Sequence, residues 1–431
     1  MSRYCVIGAG AAGISALEQL RKAGYEVDCF EQTDRVGGHW HTDYDALHLI
    51  TSRDMTTFED FPMPAEYPHF PRRDEIRAYI ESYAREHGHY DVIRFGTRVA
   101  SVGSKATDAA PGSDGWTVTL GTGERLDYDG VFIANGHLWD QKIPTYPGTF
   151  AGKQLHSGSY RNTDDLVGRV LVVGAGNSGA DIAADIAQHR IDVDISIREG
   201  IQFQPKSYFG VPRAQVGFFA DFSADEVDLI SRLLARVVIG EWKDYPGMPQ
   251  PKARTLAEGR VVVNELLLYW IQHGRIRVVP GLQSFDGSTV RFVDGTAREY
   301  DTILWATGFH ASLPFLDPSL VQRRNDVPLR YAGGIVPAGL EKLYYIGLAA
   351  PRGPQIPVYG VQAKLAIRMV QLHEAAGEGG AGVGSYLAAL QEPDDRIDIV
   401  RVVWNEQLAD TERLLDAFAA ARARQSVATP A

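Results

Sequence analysis

Two short glycine-rich runs carry the clearest chemistry in this chain. Gly8-Ala9-Gly10-Ala11-Ala12-Gly13 and Gly174-Ala175-Gly176-Asn177-Ser178-Gly179 share one glycine spacing. That spacing suits a diphosphate. The first glycine permits a tight turn and the second lets backbone approach the ligand. The third lets the following helix pack close, with its N–H groups and dipole facing the negative charge. Glu31 follows Gly13 at the distance where an acid accepts hydrogen bonds from both hydroxyls of an adenosine ribose, so FAD or NAD fits there and NADP does not. At the matching distance after Gly179 stand Ser196, Ile197 and Arg198, with no acid. A hydroxyl and a guanidinium suit a 2′-phosphate, which favours NADPH at the second site.

Such a loop works only between a strand and a helix. Arg3 to Ile7 is a short apolar strand, Ile14, Leu17 and Leu20 recur at helical spacing, Gly24 ends the helix, and Tyr25 to Phe30 form the next strand. The plan returns at Val170 to Val173, with a helix over Ile182 and Ile186 and a strand from Val193 to Ile197. Each copy is closed by a matching strand end, Val131 to Gly136 and Ile303 to Gly308. A repeat of whole-domain size is the simplest account. Between loop and closing strand each half carries short alternating runs, Trp116-Val118-Leu120 and Thr289 to Val293, which read as small β-meanders. A helix is expected over Pro71 to His87 and another from about Val361, and Gly377 to Gly384 reads as a surface loop before a helical tail. The fold class is α/β, two Rossmann-like dinucleotide-binding domains, the second nested in the first.

The bulk properties narrow the function classes. With 431 residues, 45% hydrophobic and 23% charged, the chain has the size and composition of two or more buried cores. A net charge of −11 argues against nucleic acid or an anionic membrane as the main partner. No stretch reads as a membrane span or a leader, so a cytoplasmic location is expected. Cys5 and Cys29 both lie in apolar runs, which leaves no disulfide framework, no metal cluster and no dithiol redox pair.

With these residues in place, the chain resembles the flavin-containing monooxygenases, class B flavoproteins. Phe150-Ala151-Gly152-Lys153-Gln154-Leu155-His156-Ser157-Gly158-Ser159-Tyr160 is similar to the family fingerprint and sits between the two units, as the fingerprint does. Gly37-Gly38-His39-Trp40 after Glu31, the second glycine loop, and Ala306-Thr307-Gly308-Phe309 resemble further family motifs. The resemblance spans roughly residues 3 to 370. It implies FAD at the first site and NADPH at the second. The FAD contacts then include Gly8, Gly10, Ala11, Ala12, Gly13, Glu31, Gly38, His39, Trp40 and Val99, with Gln362 in the return segment. Phe150, Gly152, His156 and Tyr160 are implied to position the domains. The implied boundaries are 1–162 for the first part of the FAD domain, 163–309 for the NADPH domain with an insertion at about 200–262, and 310–431 for the return and tail.

The resemblance also implies a reaction. Hydride passes from NADPH to the flavin, dioxygen adds at C4a, and the hydroperoxide oxygenates a soft nitrogen or sulfur of a small molecule. The cofactor supplies the difficult chemistry, so no acid–base triad is needed. Two departures from the family pattern stand out. Tyr160 ends the fingerprint where Baeyer–Villiger relatives have Trp, and Leu49-Ile50-Thr51-Ser52-Arg53 lacks the Asn expected near the flavin. Thr51 or Ser52 is expected to stabilise the flavin peroxide instead. Baeyer–Villiger oxidation, an NADPH oxidase and a non-catalytic redox sensor are the competing readings. Aromatics after Arg198, among them Phe203, Tyr208, Trp242 and Tyr245, are read as a pocket lining, internal packing or a homodimer contact.

Overall fold

The computed structural model describes residues 2–106, 109–376 and 382–428. Strand β1 (Arg3–Ile7), helix α1 (Ala11–Lys22) and strand β2 (Glu26–Phe30) follow in the expected order. Helix α2 (Arg73–Glu86) leads to β3 (Ile93–Arg94), a meander of β4 (Val99–Ser104), β5 (Trp116–Leu120) and β6 (Arg125–Tyr128), and then β7 (Gly130–Ile133). The second unit contains β8 (Lys153–His156), β9 (Val170–Val173), α3 (Asn177–Gln188) and β10 (Val193–Ser196). It continues through α4 (Ala224–Ile239), α5 (Leu266–Gln272), β11 (Ile276–Val279), the meander β12 (Leu282–Asp286), β13 (Thr289–Phe292) and β14 (Ala297–Glu299), and β15 (Thr302–Trp305). The chain closes with β16 (Leu343–Tyr345), α6 (Ile356–Ala376), α7 (Val383–Ala388) and α8 (Arg401–Ala428).

Two five-stranded sheets result, in the orders β16-β7-β1-β2-β3 and β11-β10-β9-β15-β8. All the pairings within them are parallel. Parallel sheets are covered on both faces, which is why β7 and β9 are buried at every position and show no polar alternation. The second sheet is nested in the first, because β7 and β16 pair across it in sequence. Its edge strand β8 lies N-terminal to the 162 boundary read from the sequence. The chain crosses between the units twice, and the crossings pair antiparallel at Gln141 with Phe309 and at Asp140 with His310.

Each sheet has its own core. Ile14, Leu17 and Leu20 of α1 pack with Ile76 and Ile80 of α2 and Met369 of α6. Ile182 and Ile186 of α3 pack against Val172, Ile195 and Leu304. The meanders cover the opposite faces, Trp116 and Val118 in one core and Phe292 and Tyr300 in the other. Each aliphatic side chain so buried contributes about 1.5–3 kcal/mol. Cys5 and Cys29 are buried and unpaired. Burial pushes both thiols up, away from reactivity.

One element starts earlier than the periodicity indicates: α6 begins at Ile356, not near Val361. Pro357 sits in the first turn, where its missing N–H has no intrahelical partner to lose, so it opens the helix instead of excluding it. The loop read at Gly377 to Gly384 lies outside the described residues up to 381; Gly382 is the N-cap of α7, which begins at Val383, so the last two residues of that reading are helical. Among the described residues no helix is long and apolar enough to cross a membrane.

Candidate functional site: two glycine cradles and the cleft between them

The two glycine loops adopt the same geometry. Gly8 and Gly174 hold φ of 100° and 101°, and Gly10 and Gly176 cap their helices with φ of −73° each. A Cβ on Gly13 would lie 1.8 Å from the Gly8 carbonyl oxygen, and one on Gly179 would lie 2.0 Å from that of Gly174. Only glycine permits this approach. Neither helix has a side-chain cap or an acid in its first turn. Both N-termini therefore present N–H groups and a positive dipole end, the donor set that a diphosphate requires.

Around the first loop the residues singled out from the sequence converge. Glu31 is buried; it accepts from the Ala9 N–H at 2.8 Å and from the Thr33 N–H and hydroxyl, each at 2.8 Å. Ala11 and Ala12 form the buried first turn of α1. The Gly37-Gly38 turn is tied in by the Gly37 N–H to the Ala9 carbonyl at 3.1 Å, and a Cβ on Gly38 would lie 3.3 Å from Gly10 Cα. His39 follows, with Nδ1 2.5 Å from an Asp43 oxygen and its ring tilted on Trp40 at 4.8 Å. Val99 is buried at the start of β4, beside the Thr97 N–H that reaches the Glu31 carbonyl at 2.9 Å. Gln362 is fully buried, accepts from the Gly347 N–H at 2.8 Å and donates to the Ala349 carbonyl at 3.3 Å. Its amide thereby holds the return segment, and a Cβ on Gly347 would come within 3.0 Å of Ala12.

At the second loop the residues divide differently. Ser196 is buried and donates to the Pro280 carbonyl at 2.7 Å, so its proton is spent inside the fold. Arg198 projects into solvent with its side chain 83% exposed, paired with a Glu199 oxygen 3.9 Å away. Asn177 accepts from the Val263 N–H at 3.1 Å. Ser178 lies beside the Tyr44 phenol.

The Phe150 to Tyr160 run is built into the second unit's framework. Phe150 is buried under the second meander, and a Cβ on Gly152 would lie 2.4 Å from the Asp301 carbonyl oxygen. His156 is buried edge-on to Phe309 at 4.9 Å, and its Nδ1 accepts from the Gly158 N–H at 3.0 Å. Burial lowers its pKa and keeps the ring neutral. Tyr160 is fully buried and donates to Asp185 of α3 at 2.6 Å.

Thr51 and Ser52 are distinguished by their partners. The Thr56 hydroxyl donates to the Ser52 carbonyl at 2.9 Å, so the Thr51 hydroxyl, 2.8 Å from it, is the donor of that pair. Ser52 is 1% exposed and its Oγ has no hydrogen-bond partner among the described residues. A buried orphan hydroxyl costs about 1–3 kcal/mol. That cost fits a site completed by a bound group.

Sequence reasoning missed a network between the two cradles. Tyr44 donates to Asp181 of α3 at 2.9 Å, and Asn264 donates to the other Asp181 oxygen at 2.6 Å while accepting from the Leu267 N–H at 2.8 Å. Burial raises the Asp181 carboxyl, and Lys206 is the foremost group drawing it back. The available signal was an acid flanked by Ala180 and Ile182, one of two, with Asp185, on a helix that is otherwise largely apolar. His137 was also missed. Its Nδ1 donates to the Gly347 carbonyl at 3.1 Å, and burial lowers its pKa to about 4.

Comparison with known proteins agrees with this geometry. The family model described as FMO-like, flavin-binding monooxygenase-like, matches residues 1–374. Flavin-containing monooxygenase 5 of Oryctolagus cuniculus is 31% identical over 391 residues, covering 84% of this chain and 72% of its own. Dimethylaniline monooxygenase [N-oxide-forming] 2 of Macaca mulatta is 31% identical over 392 residues, covering 85% and 73%. Among solved structures, a flavin-containing monooxygenase from Stenotrophomonas maltophilia superposes with a TM-score of 0.64 at 23% identity, over 86% of this chain and 99% of its own. An open cyclohexanone monooxygenase gives 0.66 at 17% identity, over 99% and 98%.

Proposed function

Because the chain belongs to the flavin-binding monooxygenase-like family, we propose that it oxygenates a soft nitrogen or sulfur of a small molecule, using the first cradle for FAD and the second for NADPH. The chain is an FAD- and NADPH-dependent monooxygenase. The observation that carries the assignment of sites is the pair of equal glycine cradles, one followed by buried Glu31 and the other by exposed Arg198. FAD, which the Gly8–Gly13 loop and Glu31 would hold, would supply the activation of dioxygen, with NADPH as the electron donor, one oxygen atom going to the substrate and the other to water. The protein's part is positional. Glu31 orients an adenosine ribose from a carboxylate fixed by Ala9 and Thr33. Gln362 and His137 hold the Gly347 turn against α1, where it closes the flavin site. Ser52 supplies the hydroxyl at the reacting edge. Arg198 selects the 2′-phosphate, and its planar fork suits that group better than an ammonium does. A cytoplasmic location is part of the same proposal.

The test is incorporation of oxygen-18. Purified protein supplied with NADPH, methyl phenyl sulfide and labelled dioxygen is expected to give labelled sulfoxide; unlabelled product, or none across a panel of amines and sulfides, would overturn the reading. A second reading is an NADPH oxidase that releases hydrogen peroxide, favoured by the absence of an amide side chain from Leu49 to Arg53. Peroxide equal to the NADPH consumed, with every substrate tried, would replace the first reading by the second.

A further inference from the structure

The segment that leaves the first cradle is fastened to the second within a few residues. Gly38 sits on the first glycine loop, where a Cβ on it would lie 3.3 Å from Gly10 Cα. A short turn over Gly38–His41, closed by the Thr42 and Asp43 N–H groups on the His39 carbonyl at 2.8 and 3.0 Å, carries the chain on to Tyr44. Tyr44 is 4% exposed, and its ring is buried in the core of the second unit, 6.4 Å from that of Tyr160. Ala46 and Leu47 pack against the same core. Asp45 spans both units. Its N–H donates to the Arg161 carbonyl at 2.8 Å, and its carboxylate accepts from Asn162 at 2.9 Å and from Arg73 of α2 at 2.8 Å.

Facing this segment is α3, the helix that carries the second cradle. The Tyr44 hydroxyl donates to one Asp181 oxygen at 2.9 Å, with Ser178 of the glycine loop beside it. Asn264 donates to the other Asp181 oxygen at 2.6 Å, and the Asn177 side chain, one helical turn earlier on the same face, accepts from the Val263 N–H at 3.1 Å. Asp181 therefore fastens the first unit with one oxygen and the start of α5 with the other. Hydrogen bonds that end on a carboxylate are about twice as strong as neutral ones. The first turn of α3 is thus set against the flavin loop through a glycine contact, a closed turn, a buried ring and a charge-assisted bond.

We propose that Tyr44 is a positioning residue for flavin reduction, whose bond to Asp181 fixes the helix of the second cradle at a set distance from the loop of the first. The proposal rests on the reading that NADPH at the second cradle reduces FAD at the first. Transfer between two held molecules needs reacting atoms about 3–3.5 Å apart, and a misplacement of about 1 Å costs on the order of 100-fold in rate. Tyr44 acts on that separation through α3.

Tyr44→Phe removes the hydroxyl and keeps the ring in its core. In FAD-loaded protein it is expected to slow the limiting rate of anaerobic flavin reduction at saturating NADPH by roughly 10- to 100-fold, with FAD content, thermal midpoint and calorimetric NADP⁺ affinity near those of the wild type. Asp181→Asn, whose amide has a single acceptor oxygen for two donors, should slow reduction by a smaller factor and serves where Tyr44→Phe does not fold. A second readout is the distance between spin labels attached through Thr122→Cys and Ser288→Cys, exposed positions in the two meanders, because Cys5 and Cys29 are buried. With FAD alone bound, the distance distribution should be broader in Tyr44→Phe than in the parent. A limiting rate equal to the wild type's in both variants overturns the proposal, and so does a slowed rate with an unchanged distance distribution. Weaker NADP⁺ binding at an unchanged limiting rate overturns it too, since a merely structural role would give that result. If NADPH does not reduce the wild type, the reading of the second cradle falls, and the distance distribution alone decides for or against the tether.

Discussion

Ser52 and Thr51 are adjacent hydroxyls with the same chemistry and different commitments. The Ser52 Oγ is buried without a partner, whereas Thr51 is the donor in a chain that runs through Thr56 to the Ser52 carbonyl. Ser52→Ala should keep FAD content and thermal midpoint near those of the wild type while raising peroxide release per NADPH, roughly threefold to tenfold for one neutral hydrogen bond. Thr51→Val should instead lower stability by about 0.5–1.5 kcal/mol with little change in peroxide release. A peroxide assay beside a urea titration checks both. Arg198→Ala should remove most of the preference for NADPH over NADH, read as the anaerobic rate of flavin reduction, without altering FAD content. Equal rates with both cofactors in the wild type would contradict the role given to Arg198. At this scale the sequence yielded residue types at set spacings, hence Glu31 and Arg198. It offered Ser196 as a donor to the 2′-phosphate, but whether a hydroxyl faces a ligand or a carbonyl such as that of Pro280 is decided by tertiary packing.

The glycine loops separate packing from binding at the scale of the element. Gly179→Ala forces a Cβ to 2.0 Å from the Gly174 carbonyl oxygen, so the α3 N-terminus must shift; Gly176 has nothing within 4 Å. The expected outcome is that Gly179→Ala lowers the thermal midpoint and abolishes NADP⁺ binding, while Gly176→Ala weakens NADP⁺ binding with an unchanged midpoint. Calorimetry of both variants checks this. Helix α1 also carries a pH device. Burial alone would raise Glu18, but His89, 3.0 Å away, and Lys22, also 3.0 Å away, outweigh it and lower the carboxyl to about 2. A folded pKa below the unfolded value of about 4.3 contributes stability that is present above the unfolded value and lost as pH falls from about 4.5 to 2. Glu18→Gln should flatten the stability profile across that window, as urea midpoints from pH 2 to 6 will show. Strands, helices and meanders were legible because apolar spacing follows the local period. The start of α6 was not, because Pro357 reads as a breaker until its place in the first turn is known.

The repeat was legible at the scale of the whole molecule because each unit is complete in itself, with a loop, a helix and a closing strand. The cleft was not. Tyr44 meets Asp181, and Gln215 meets Asp54, only when two units far apart in sequence pack together. No periodicity encodes such a meeting. Nesting has a further consequence, for synthesis. β7 pairs with β1 early, but its other neighbour, β16, is made only after the entire second unit. At ribosomal speeds of about 5–20 residues per second, the roughly 200 intervening residues take on the order of 10–40 s to emerge. For that time the nascent chain carries an open strand edge of Gly-Val-Phe-Ile, which is fully buried in the finished sheet and is the kind of edge on which chains aggregate. The inserted unit must therefore fold quickly enough to bring Leu343–Tyr345 to that edge before another nascent chain reaches it.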